Sequence, residues 1–367
     1  METEGSKMKK ILFATTALVA TASVAAADVR LSGYGRFGLD YNEANDSAVN
    51  GVSSTTLTSR LRLQVDMTTE TDNGVTFGAR FRAQAESRDN AGASGAPTFS
   101  DVNGDGVITP NEISVGGGAV FNGARFYVTS GGFTLGVGNI IGALENTPGL
   151  YLETRTAGIG IDGAGFESLV TNVNGESFNW DAYSSAGFGA NGVEVLYSAG
   201  GFSGHISYSQ DNETYALRNN AGVDRTAINL AYTFGDWTAA IGYQDSSAMW
   251  EDKLLLTVSG DLGIFGVRLA YADNDGIDKY GLYGNVDIGA AGNLVAYVTQ
   301  EDAVSASDVA AGRGDNRDGV AGSNNREGTG YGIHYSYDLG GGVSFEAGAR
   351  ESSNDNTTVQ AGVYFSF

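Results

Sequence analysis

What limits this chain most is the rhythm of its connections: period-two runs are joined by links that are alternately very short and very long. In VRLSGYGRFGLDY (29–41), Val29, Leu31, Phe37, Leu39 and Tyr41 alternate with Arg30, Ser32, Arg36 and Asp40. LTSRLRLQVDM (57–67) sets Leu57, Leu61, Leu63, Val65 and Met67 against Thr58, Arg60, Arg62, Gln64 and Asp66. VTFGARFRAQAE (75–86) sets Val75, Phe77, Ala79 and Phe81 against Thr76, Arg80, Arg82, Gln84 and Glu86. Successive side chains of a strand point to opposite faces, so each run has an apolar face and a face that carries the charge. A soluble sandwich shows the same alternation, so the links must decide.

The short links are TETDNG (69–74), SGG (130–132), AGG (199–201), GD (235–236), SGDLG (259–263), AAGN (290–293) and LGGG (339–342). The long ones are 42–56, 87–118, 140–190, 210–225, 246–250, 274–277, 301–327 and 352–356. Tight turns on one side and larger loops on the other mark a transmembrane β-barrel; a sandwich has no reason to segregate them. Counting through the alternation gives about sixteen strands, an even number, as in bacterial barrels. The last run, TTVQAGVYFSF (357–367), ends on an aromatic residue, and pairing it with the first would leave no backbone edge unsatisfied in lipid. The expected fold is all-β, a 16-stranded antiparallel transmembrane barrel with short periplasmic turns and long extracellular loops. Tyr34, Tyr41, Tyr197, Tyr208, Tyr232, Trp237, Tyr243, Tyr271, Tyr335 and Tyr337 fall near strand ends and are expected to form its interfacial girdles.

The N-terminus agrees with that address. Met8-Lys9-Lys10 is a basic start, residues 11–24 are an apolar run too short to span a bilayer comfortably, and Ala25-Ala26-Ala27 supplies an A-x-A cleavage site. Residues 1–27 are thus expected to be an N-terminal extension and signal peptide, with the barrel over 28–367. The net charge of −22 argues against a nucleic-acid partner, and the absence of Cys excludes a disulfide scaffold or thiolate metal site. Only two histidines, His205 and His334, are present, both on the polar parity, and no Gly-x-Ser-x-Gly elbow occurs. An enzyme is disfavoured on those grounds.

Arg36, Arg60, Arg62, Arg80 and Arg82 share the polar parity of three consecutive strands about 4.8 Å apart, and Arg125 joins them if register holds on the AVFNGARFYVTS strand. They predict one permanently charged patch on the luminal wall, partly paired with carboxylates such as Asp40, Asp66 and Glu86.

Four stretches carry a family resemblance: DVRLSGYGRFGLDYN at the start of the expected barrel, VEVLYSAGGFSGHISYS (193–209), AYTFGDWTAAIGYQ (231–244) and YGIHYSYDLGGGVSFEAG (331–348), with the terminal Phe367. In this order the chain resembles the general outer-membrane porins of Rhodobacter-type alphaproteobacteria. The resemblance implies sixteen strands, a homotrimer, and a third outer loop folded into the lumen. The implied function is a water-filled channel for passive diffusion of small hydrophilic solutes and ions, in contact with outer-membrane lipid and lipopolysaccharide. The alternative is a structural or adhesive barrel with a plugged lumen.

The 140–190 link would be that third loop. It holds Glu145, Glu153, Asp162, Glu167, Glu176 and Asp181 against a single Arg155. Folded inwards, it would oppose the arginines across a constriction, with Glu153 and Asp162 favoured by their central position. With the acidic outer loops, this predicts a weak cation preference. One motif stands apart. DVNGDGVITPNE (101–112) fits the D-x-[DN]-x-[DN]-G-x5-E calcium loop without a gap, offering Asp101, Asn103, Asp105, the Val107 carbonyl, Thr109 and Glu112 as ligands for Ca²⁺. No helical pattern flanks it. The 87–118 link that contains it is longer than the resemblance leads one to expect.

Overall fold

The computed structural model describes residues 28–48, 53–88, 98–99, 113–114, 120–151, 180–185, 189–210, 222–313, 327–353 and 355–367. The expected signal segment, the calcium-like loop at 101–112, Glu153 and Asp162 lie outside the described residues.

Sixteen strands form one closed antiparallel barrel. They are β1 (Asp28–Asn42), β2 (Thr55–Glu70), β3 (Thr76–Arg88), β4 (Val120–Phe121 and Arg125–Ser130), β5 (Phe133–Gly138), β6 (Gly192–Ala199), β7 (Phe202–Gln210) and β8 (Asp224–Phe234), which make up one half. The other half is β9 (Trp237–Ser246), β10 (Lys253–Leu262), β11 (Phe265–Asn274), β12 (Asp278–Ile288), β13 (Gly292–Glu301), β14 (Gly328–Gly340), β15 (Val343–Glu351) and β16 (Thr357–Ser366). Each strand pairs with the next in sequence, and β16 closes on β1 from Tyr34↔Ser366 to Asn42↔Thr358. Phe367 continues that seam through two backbone hydrogen bonds with Gly33. Gly35 makes the seam possible. A Cβ there would stand 2.3 Å from the Phe365 ring, which lies across it.

Strand β4 is one strand with a break. Both of its pieces pair with β3, and Asn122 in the gap accepts the Arg82 N–H through its side-chain oxygen at 2.6 Å. The walls are tall at β1 and β2, with 15 and 16 residues, and low at β5, with 6.

Burial is inverted relative to a soluble protein. Phe37, Leu39, Leu57, Leu61, Phe126, Phe133, Leu256, Leu269, Leu282 and Ile333 are exposed on the outer face, whereas Arg36, Asp40, Arg125, Glu194, His205 and Asn229 are buried on the inner one. Such an outer face is stable only in lipid, and the closed ladder leaves no strand edge to solvate. Tyr41, Tyr208, Tyr232, Tyr243 and Tyr337 face outwards as expected of girdle residues. Tyr34 does not. It shares the parity of Arg36, stacks on Tyr364 at 5.2 Å, and carries the Arg62 guanidinium 5.1 Å from its ring centre. Parity along its own strand outranks its nearness to a strand end.

Candidate functional site: the channel and its inner loop

The third outer loop leaves β5 at the low wall and turns into the barrel. Its first turn is fixed by a buried carboxylate. Glu194 on β6 accepts the Ile141 N–H at 3.0 Å and the Gly142 N–H at 3.3 Å on one oxygen, and the Arg125 Nε–H at 2.5 Å on the other. His205 on β7 stands 2.9 Å from the same carboxylate. The chain then runs along the inner wall: the Ala143 N–H donates to Ser207 Oγ, Asn229 Nδ2 donates to the Ala143 carbonyl, and Thr257 Oγ1 donates to the Pro148 carbonyl at 2.6 Å. These partners lie on β7, β8 and β10, so the loop crosses the strands rather than hanging from one.

An apolar seat holds it there. Ala143, Leu144 and Leu150 are completely or almost completely buried against Ala227, Leu255, Ala270, Ala272, Tyr283 and Tyr297, with Tyr151 and Trp180 packed alongside. All six wall residues are luminal, so the inner face of the barrel turns apolar where the loop lies against it. Burying such side chains favours the docked loop by roughly 25 cal/mol per Å² of apolar surface removed from water.

The returning leg crosses the outgoing one. Gly142 has φ +84°, and a Cβ on it would fall 2.0 Å from the Asp181 carbonyl oxygen, so only glycine permits the crossing. Asp181 receives Ser209 Oγ–H and stands 3.8 Å from Arg225, itself bidentate on Glu251. Ser184 is held by Asn122 and by Asn139.

On the opposite wall the register brings the sequence-predicted arginines together. Arg36 pairs with Arg60, Tyr34 with Arg62, Gln64 with Arg82, Asp66 with Arg80, and Arg80 with Arg125. Their environments differ. Arg80 is ion-paired with Asp66 at 2.6 Å, and Arg125 with Glu194. Arg62 donates to Gln84, and Arg60 reaches the Tyr34 hydroxyl at 3.4 Å. Arg82 donates to Gln64 and to Ser185 of the loop, and its guanidinium lies over the Tyr183 ring at 4.5 Å. Arg125 thus belongs to the loop anchor, and Arg82 touches the loop directly.

Among the described residues, the loop acid that meets this wall is Glu145. Its carboxylate accepts the Tyr183 N–H at 2.9 Å, directly beside the ring that carries Arg82. Burial pushes its pKa up to about 7, against the opposing pull of that amide, of Tyr151 and of Arg82 and Arg62. Spacing within the loop favoured Glu153 and Asp162. Glu145, one turn past the anchored Ile141–Gly142 pair, is brought to the arginines because the chain before it is pinned. Glu194 carried a sequence signal too: it is an acid on the luminal parity of a strand with no other charge.

The sequence profile of the Gram-negative porins matches residues 14–357. The chain belongs to this family. Two curated relatives, both porins, are 28% identical from Fuscovulum blasticum and 27% from Rhodobacter capsulatus, each over 93% of this chain and all of the relative. Among solved structures, two substituted forms of the Rh. blastica porin superpose with TM-scores of 0.66 at 26% identity, over 93% of this chain and all of theirs. The protein is therefore an outer-membrane porin, a channel-forming barrel. The porin's inner loop and inverted faces are those of a barrel that holds water inside and lipid outside.

Proposed function

We propose that the porin's lumen narrows between the inner loop and the wall of Arg36, Arg60, Arg62, Arg80, Arg82 and Arg125, and that this narrowing sorts small hydrophilic solutes by size and charge. One observation carries the reading: Arg82 lies over Tyr183 while the Tyr183 amide holds Glu145, so opposite charges meet at the base of the loop. Loop acids beyond Glu145, with Glu153 and Asp162 first, extend the negative side. The transverse field aligns dipolar solutes and disfavours apolar ones, which must break ordered water. The acidic chain concentrates cations at the mouths and the arginines oppose them inside, giving a weak cation preference. The test is the zero-current potential in a salt gradient. Replacing Arg60, Arg62, Arg80 and Arg82 together by Ala should move it towards stronger cation selectivity; an unchanged potential overturns the arginine wall.

The same reading extends to assembly and to the outer loops. A homotrimer is supported by the low wall at β4 and β5, where Phe126, Phe133, Leu135 and Val137 stand exposed and apolar; cross-linking of the purified porin tests it. Ca²⁺ is proposed for the 101–112 loop on its ligand spacing, ordering that loop against neighbouring headgroups. Calorimetric titration with Ca²⁺ tests this, with Asp105→Ala as the control that should release no heat above dilution. Residues 1–27 are proposed as the cleaved signal and its extension, which the N-terminal sequence of the protein from outer membranes checks directly.

A further inference from the structure

Below the seat of the inner loop, towards the short-turn mouth, the luminal wall of β9–β13 holds a concavity of about 270 Å³ whose chemistry the constriction does not use. Register sets its side chains in two rows. The upper row is Thr238, Ser259, Arg268 and Tyr283, each paired with the next across β9 to β12. The lower row runs from Asp236 in the β8–β9 turn through Asp261 and Gly266 to Asn285. Two residues along a strand separate the rows, about 6.6 Å.

Three observations make this more than a dent in the wall. Arg268 Nη1 is buried with no hydrogen-bond partner, and among the described residues the guanidinium forms no ion pair. An arginine with no carboxylate of its own leaves its charge and its remaining donors to an incoming acceptor. Second, two aspartates, Asp236 and Asp261, line the lower row of the same cavity. Third, the floor between them is polar: Gly266 lets the Asn285 carboxamide lie flat on the wall, and a Cβ there would stand 1.9 Å from Asn285 Oδ1.

We propose that this cavity is a binding subsite for small α-zwitterions, that is, free amino acids. The carboxylate takes the Arg268 guanidinium with Ser259 and Tyr283 beside it, and the ammonium turns down to Asp261 and Asp236. The opposed rows explain the choice. A simple anion drawn to Arg268 meets two carboxylates, and a simple cation drawn to the carboxylates meets the guanidinium. A ligand carrying both charges as substituents of one carbon satisfies both. The volume suits a small solute, since it lies just under the usual range for larger ligands. Tyr283 belongs both to the loop's seat and to the cavity, so the subsite lies directly beyond the constriction on the way to the short-turn mouth. A solute that has passed the loop is held there briefly before release.

This inference rests on the channel reading, and its test keeps the two apart. The porin is reconstituted in planar bilayers, and the KCl current is recorded while L-alanine is added on the short-turn side. The expected result is a saturable fall in current. Arg268→Gln and Asp261→Asn should each raise the half-saturating concentration about tenfold or more, the loss of one charge-assisted contact. Arabinose, neutral and of similar size, should give only a non-saturating decline in all three proteins. Wild-type porin that treats alanine like arabinose overturns the subsite, and so does an Arg268→Gln variant that titrates like wild type. The KCl current before any solute is added reports on the channel itself.

Discussion

Glu145 is pulled two ways, and the balance sets a pH dependence. Burial outweighs the nearby Tyr183 amide and the Arg82 and Arg62 charges, so its pKa is pushed up to about 7 from an ordinary 4.5. The group is neutral below that value and anionic above it. The anion faces the arginines, so cation preference should grow as pH rises from about 6 to about 8, and Glu145→Gln should flatten that step while leaving the channel open. Zero-current potentials at several pH values check it. A wild type with no step, or a variant that keeps the step, removes Glu145 from the eyelet. Residues of this kind were only half legible in the sequence. Parity placed Arg36, Arg60, Arg62, Arg80, Arg82 and Arg125 on one face, because a strand's side-chain period is fixed. No period governs a loop. Glu145 depends on the Tyr183 amide, 38 residues away, and on Glu194 pinning Gly142, 52 residues away, and spacing alone cannot show either.

At the scale of the element, the inner loop is held by its root. The Glu194 carboxylate is shared by Arg125, His205 and two loop amides, so its removal strands a buried guanidinium and frees the first turn together. Glu194→Ala should cost about 3–5 kcal/mol, the usual loss when one member of a buried ion pair is deleted. Two measurements follow: a lower unfolding temperature in detergent, and larger current fluctuations in single channels as the loop leaves the wall. A quiet, wild-type trace would mean that the apolar seat alone fixes the loop. That seat also shows where the alternation rule yields. Leu254, Leu255 and Leu256 run apolar without a break in β10, and Ala270 and Ala272 occupy luminal positions of β11. Taken strand by strand these look like lapses in an inside-polar pattern. They are the imprint of the loop, and only the knowledge that something packs there turns them into a signal. The break in β4 has the same character, since Asn122 keeps its backbone bond to Arg82 and adds side-chain bonds to the Arg82 amide and to Ser184 of the loop.

The barrel as a whole was the most legible feature, because links on two sides of a sheet and a parity of two are imposed by lipid rather than by any particular contact. The same constraint yields a test that compares two faces of one strand. Leu61 on β2 points outwards and is exposed, with Arg60 and Arg62 on either side of it pointing inwards at the same height. An arginine is therefore already tolerated at this depth on one face. On the other it should cost about 2–4 kcal/mol near the bilayer midplane, falling towards the interfaces. Arg62 is the matching luminal position, and a lysine there keeps a cation at the same depth on the other face, where Arg62 donates to Gln84. Folding free energies into lipid vesicles should fall by that amount for Leu61→Arg and by less than about 1 kcal/mol for Arg62→Lys. Equal costs would mean that the two faces meet the same medium, which a water-filled barrel in a bilayer does not allow.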